Sequence, residues 1–178
     1  MNLRNFAHLQ NKKNARKLDT YVENGGNLIV VNTGGIQKNN FQLNSLGIEY
    51  HSISPYSYSY MDLPEHLSGE LIDGLMVSYN PMVQVFPKEA KVVSSAITPT
   101  TERSSDRIFS HRQAPPENLS PYPAITEHQY GDGKAAFVAA PILKDFFEED
   151  YYGHRVIVEN LIDRYLTKSR TVITDAPP

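Results

Sequence analysis

The sequence predicts an α/β protein with a three-layer, flavodoxin-like, mostly parallel sheet and an antiparallel insertion. Three observations carry that prediction. A helical pattern with apolar Ala15, Leu18 and Val22 ends at Gly25-Gly26, where residues without Cβ accept the left-handed geometry that stops a helix. Leu28-Ile29-Val30-Val31 is apolar at consecutive positions, as in a strand covered on both faces and central in its sheet. Lys134 to Ala140 repeats that continuous apolar pattern after a glycine-containing loop.

The elements follow in order. Residues 10 to 24 read as an amphipathic helix with Lys12, Lys13, Arg16 and Lys17 on its wet side. Leu28 to Asn32 is a strand delivering Asn32-Thr33-Gly34-Gly35 to the carboxyl edge of the sheet, where such folds place their sites. Phe41 to Tyr50 reads as a short helix stopped by Gly47, then a strand from Ile48. Tyr56-Ser57-Tyr58-Ser59-Tyr60 alternates ring and hydroxyl, the period of a half-exposed strand. Leu75–Tyr79, Met82–Phe86 and Lys91–Ile97 are strand-like, and their short spacers predict antiparallel pairing, since parallel crossovers need a dozen residues or more. Thr98 to Pro123, rich in Pro, Ser and charge, reads as a long surface excursion. Ala124–Tyr130 and Lys134–Ala140 flank Gly131-Asp132-Gly133 as a hairpin. Residues 155 to 166 carry apolar side chains at 157, 158, 161, 162, 165 and 166, a helical stripe, and Thr171–Thr174 reads as an edge strand.

Length and composition narrow the function. The 178 residues suit a single domain over 1–178. A net charge of −3 gives no electrostatic case for a nucleic-acid partner. No run approaches the ~18 apolar residues of a membrane span, and no apolar signal-peptide core opens the chain, so a cytoplasmic location is expected. Zero cysteines exclude disulfides, thiolate metal sites and a cysteine nucleophile.

Two blocks carry a family resemblance. Tyr21-Val-Glu-Asn-Gly-Gly-Asn-Leu-Ile29, and Tyr130-Gly-Asp-Gly-Lys-Ala-Ala-Phe-Val-Ala-Ala-Pro-Ile142 followed by a helix with Tyr152, Arg155, Asn160 and Leu161, resemble class I glutamine-amidotransferase-like domains. These occur at the C-terminal side of bacterial glycosidases and are known from β-galactosidases as the trimerisation domain. Phe109–Pro116 and Thr174–Pro177 look similar to α-L-fucosidase-like proteins. Against that pattern the chain lacks one or two opening strand-helix units and the catalytic barrel. The nucleophile elbow of true amidotransferases would fall near Asn32-Thr33, where no cysteine stands. The resemblance therefore implies a non-catalytic module of carbohydrate metabolism that assembles with its own copies or with a glycosidase barrel on another chain.

Candidate sites are few. Asn32, Thr33, Gly34 and Gly35 could offer backbone N–H groups to an anion, although a short glycine pair lacks a dinucleotide or phosphate-loop spacing. His111 and Arg112 together could hold a carboxylate or phosphate. Tyr56, Tyr58 and Tyr60 suggest an interface, because Tyr joins a large apolar face to a polar tip; a strand packed beneath the excursion explains them equally. No catalytic residue, metal site or cofactor is expected. Glu148, Glu149 and Asp150 are explained by a helix N-terminus, which favours negative charge. The alternatives are a small hydrolase on a glycan or ester, with Thr33 or Ser110 as nucleophile and His111 or His128 as base, and a module binding a small ligand.

Overall fold

The computed structural model describes residues 12–69, 74–101 and 113–166. Helix α1 (Lys12–Glu23) leads through Gly25 (φ +94°) into β1 (Asn27–Val31). Two short strands, β2 (Ile36–Gln37) and β3 (Asn40–Phe41), precede a 3₁₀ turn (Asn44–Leu46) closed by Gly47 at φ +60°. Then come β4 (Ile48–Ile53), β5 (Ser59–Asp62), α2 (Glu65–Ser68), β6 (Leu75–Ser78), β7 (Val83–Pro87), β8 (Lys91–Pro99), β9 (Pro116–Tyr130) and β10 (Gly133–Val138). Helices α3 (Ile142–Glu149) and α4 (Tyr152–Tyr165) end the described chain.

The main sheet has six strands in the order β1-β10-β9-β8-β5-β6, and β4 pairs with β7 in a separate ribbon. β1 runs parallel to β10, with Leu28 opposite Ala135 and Val31 opposite Val138. The other joins of the main sheet are antiparallel, so the insertion occupies more of the sheet than the sequence suggests. The expected β9–β10 hairpin forms, with a register from Gly133 opposite Tyr130 to Val138 opposite Ile125.

Successive residues of β9 show the layering, because side chains alternate between the faces of a strand. Glu127 meets Tyr165 of α4 across a 3.0 Å hydrogen bond. His128 turns the other way, its Nδ1 2.9 Å from the Ser45 carbonyl in the 3₁₀ turn. That turn is tied to α1 by Asp19, whose buried carboxylate accepts the Asn44 and Ser45 N–H groups at 3.1 and 2.9 Å. Helices therefore cover both faces, as the fold class requires. Between them lies an apolar core in which Ala135, Ala136, Phe137 and Val138 of β10 are fully buried with Ile125, Ile142 and Ile157.

Two expectations are corrected. β1 was expected in the interior, yet among the described residues it is the edge strand, paired with β10 alone. Its continuous apolar run has a different cause: both of its faces are packed, and face burial says nothing about neighbours along the hydrogen-bonding direction. The excursion of 98–123 is also narrower. β8 continues to Pro99 and β9 begins at Pro116, because Ile97, Thr98 and Pro99 find partners in Leu119, Asn118 and Pro116. Thr171–Thr174 lies outside the described residues.

Candidate functional site

The carboxyl ends of β1 and β10 meet at Asn32. Its φ of 50° is left-handed, a conformation Asn tolerates better than most side chains. The backbone N–H of Asn32 bonds the Val138 carbonyl at 2.7 Å, and its side-chain Nδ2 donates to the carbonyls of Ala139 at 2.6 Å and Pro81 at 3.3 Å. One residue thus ties β1 to the end of β10 and to the turn after β6.

From Asn80 in that turn a polar chain continues into α3. Asn80 Nδ2 donates to Asp145 Oδ1 at 2.7 Å and to Glu148 Oε2 at 3.3 Å, while Lys144 Nζ donates to Asn80 Oδ1 at 2.7 Å. Ser78 Oγ, also buried, donates to Asp145 Oδ2 at 2.8 Å. Asp145 is completely buried, in the first turn of α3, where the helix dipole favours a carboxylate. Sequence reasoning missed this cluster. A signal was present: Asp145 falls on the inward stripe of α3 with Ile142, and a charge on a buried stripe calls for partners.

The expected site residues are placed as follows. Thr33 is exposed and sits in a tight turn in which the Gly34 N–H bonds the Val31 carbonyl at 3.0 Å and the Ile36 N–H bonds the Thr33 carbonyl at 3.2 Å. Gly35 adopts φ +79° there. The glycine pair thus shapes the turn, and the Gly34 donor is used within it. His111, Arg112 and Ser110 lie outside the described residues. The Tyr58 hydroxyl accepts the Ala114 N–H at 2.6 Å and the Tyr60 hydroxyl donates to the Ala114 carbonyl at 2.5 Å. Their rings stand edge to face at 6.3 Å, and burial raises the Tyr60 pKa. Both rings pin the chain where it re-enters β9, and Tyr56 stands apart in the bend before β5.

Three of the four described histidines are engaged elsewhere, and His66 is exposed on α2. His128 faces Ser45 with Nδ1 and Glu89 with Nε2 at 3.6 Å, His154 Nε2 donates to the Val77 carbonyl at 2.9 Å, and His51 stacks on Tyr122. None of these hydrogen bonds joins an imidazole to a serine or threonine hydroxyl. Among the described residues no three His, Cys, Asp or Glu side chains gather as metal ligands, and no helix is long and apolar enough to cross a membrane.

No family model matches the chain, and no curated protein does. Solved structures do. α-L-Fucosidase isoenzyme 2 from Paenibacillus thiaminolyticus superposes with a TM-score of 0.73 at 18% identity, over 84% of this chain and 22% of that one. A β-galactosidase from Bacillus circulans gives 0.54 at 14% identity, over 84% and 20%. A cytoplasmic protein from Salmonella typhimurium gives 0.57 at 13%, over 85% and 60%. At these identities the likeness is one of fold. The chain spans about a fifth of the length of the two glycosidases. What it matches is therefore one region of much larger glycosidase chains.

Proposed function

We propose that this chain is a non-catalytic assembly domain associated with glycosidases, related to the trimerisation type of amidotransferase-like domain. It works by burying surface between copies, or against a barrel domain on another chain.

The observation that supports this reading is the outer edge of β1. The Asn32 N–H points at β10, so by strand alternation those of Leu28 and Val30 do as well. The N–H groups of Ile29 and Val31 and the carbonyl of Ile29 then face outward. Natural edge strands are blunted by Lys, Pro, bulges or inward charges. Asn27-Leu28-Ile29-Val30-Val31 has none of these, and its register with β10 is unbroken. Among the described residues no strand pairs with this edge, and an edge built like an interior strand is a pairing surface. The partner that fits is another β-strand, and a second copy supplies one.

Sedimentation velocity at micromolar concentration tests the reading. The wild type is expected to associate. Ile29→Pro removes an outward donor without touching the β10 ladder and is expected to give monomers, whereas Ile29→Val keeps the donor and stays associated. A monomeric wild type overturns the reading.

A further inference from the structure

The corner between α3 and α4 exposes several large apolar side chains. Phe147 is 82% exposed, and Leu143, Tyr151 and Tyr152 are each about half exposed beside it in sequence. Leu143 and Phe147 lie four residues apart on one face of α3. Glu148 and Asp150 are exposed next to them, with Glu149 between. The cations of this corner are Lys144, engaged by Asn80 and by Glu148 at 3.7 Å, and Arg155, paired with Glu159 at 2.9 Å. The surface is therefore aromatic at its centre and acidic at its rim.

A complementary surface stands on the opposite layer of the same molecule. Helix α1 places Lys12, Lys13, Arg16 and Lys17 in exposed positions within six residues, with no acid in its first turn. Cations at this end of a helix oppose its dipole. Lys13, Lys17 and Tyr21 fall four residues apart along one ridge, and Tyr21 is itself about half exposed. The first turns of this face are basic, and Tyr21 follows them beside the exposed Glu23. Because α1 and α4 lie on opposite faces of the sheet, the two surfaces look away from each other.

We propose that copies associate head to tail, with the acid-rimmed aromatic corner of one seated on the basic α1 face of the next. The inference rests on the assembly reading and adds to it a second contact, of a different chemistry from β1 pairing. A two-fold contact through the corner would set acidic runs against each other, whereas a heterologous contact matches acid with base. Such a contact propagates into a ring or a filament. Its strength depends on salt, because the screening length falls from roughly 30 Å at 0.01 M to 8 Å at 0.15 M.

A charge swap provides the test, read by sedimentation velocity with circular-dichroism melts confirming that each variant folds. One variant carries Lys12→Glu, Lys13→Glu, Arg16→Glu and Lys17→Glu; the other carries Glu148→Lys, Glu149→Lys and Asp150→Lys. Each alone is expected to weaken association at low salt by at least tenfold. Mixed together they are expected to associate again, one to one, and a chain carrying both swaps is expected to associate with itself. Folded variants that fail to recover on mixing overturn the contact. If association survives both reversals but is lost with Ile29→Pro, the head-to-tail contact is wrong and the assembly reading stands. If the wild type is monomeric at both ~0.01 M and ~0.15 M salt, both fail.

Discussion

At the scale of single residues, the carboxyl edge is held by polar side chains that satisfy one another. Asp145 shows why this matters. Its two oxygens accept from Ser78 and Asn80 in a fully buried position, and a buried donor left without a partner costs about 1–3 kcal/mol. Asp145→Ala removes the nearer acceptor of each donor, leaving Ser78 Oγ the Asn80 carbonyl at 3.2 Å and Asn80 Nδ2 the Glu148 carboxylate at 3.3 Å, and is expected to lower stability by about 1–3 kcal/mol in urea unfolding. Asp145→Asn, which retains one acceptor, is expected to cost about half as much; an equal cost for the two would place the loss in shape rather than in hydrogen bonding. None of this stood in the linear pattern around Asn32, because Ser78, Asn80 and Asp145 are joined only through the fold. The glycines at 34 and 35 drew attention as an anion cradle, yet the Gly34 N–H closes the turn on Val31.

At the scale of elements, the most informative junction is the hairpin turn against the end of α1. Asp132 N–H donates to the Glu23 carbonyl at 3.0 Å. A Cβ on Gly133 would lie on the carbonyl oxygens of Gly26 and Val22. The double glycine after α1 and the glycines of the hairpin, far apart in sequence, are therefore two sides of one contact. Gly133→Ala pushes a methyl into backbone that cannot turn aside, and is expected to cost roughly 1–3 kcal/mol, read as a fall in the urea midpoint at unchanged slope. An unchanged midpoint would mean that α1 and the hairpin sit further apart. The hairpin, α1 and α4 were legible because period and glycine punctuation are local signals. The position of β1 in the strand order was not. A run such as Leu28–Val31 reports that both faces are packed, and α1 and α4 do that whether or not a further strand lies alongside. The Tyr56–Tyr60 alternation suggests a strand over all five residues, yet the chain bends at 55–57 and is strand only from Ser59, and only its return at Ala114 shows what the hydroxyls of Tyr58 and Tyr60 bind.

At the scale of the whole molecule, helices on both faces of a mixed sheet match one region of glycosidases several times longer than this chain. The described carboxyl edge is knitted together by hydrogen bonds, whereas among the described residues the flank of β1 has no strand partner and Phe147 is largely exposed. The proposed assembly role rests on these two regions, since exposed strand edges and apolar patches favour contact with other protein. The two contacts make opposite demands on solution conditions. Backbone pairing along β1 tolerates salt, and the acid-to-base contact does not.

The pairing of β1 is read most directly by amide hydrogen exchange at Ile29 and Val31, followed from dilute to concentrated protein. The outward N–H groups are predicted to become protected as concentration rises, while the inward N–H of Val30 is protected throughout. Fast exchange at Ile29 and Val31 at every concentration, in a sample that otherwise retains its protected core, would contradict the account.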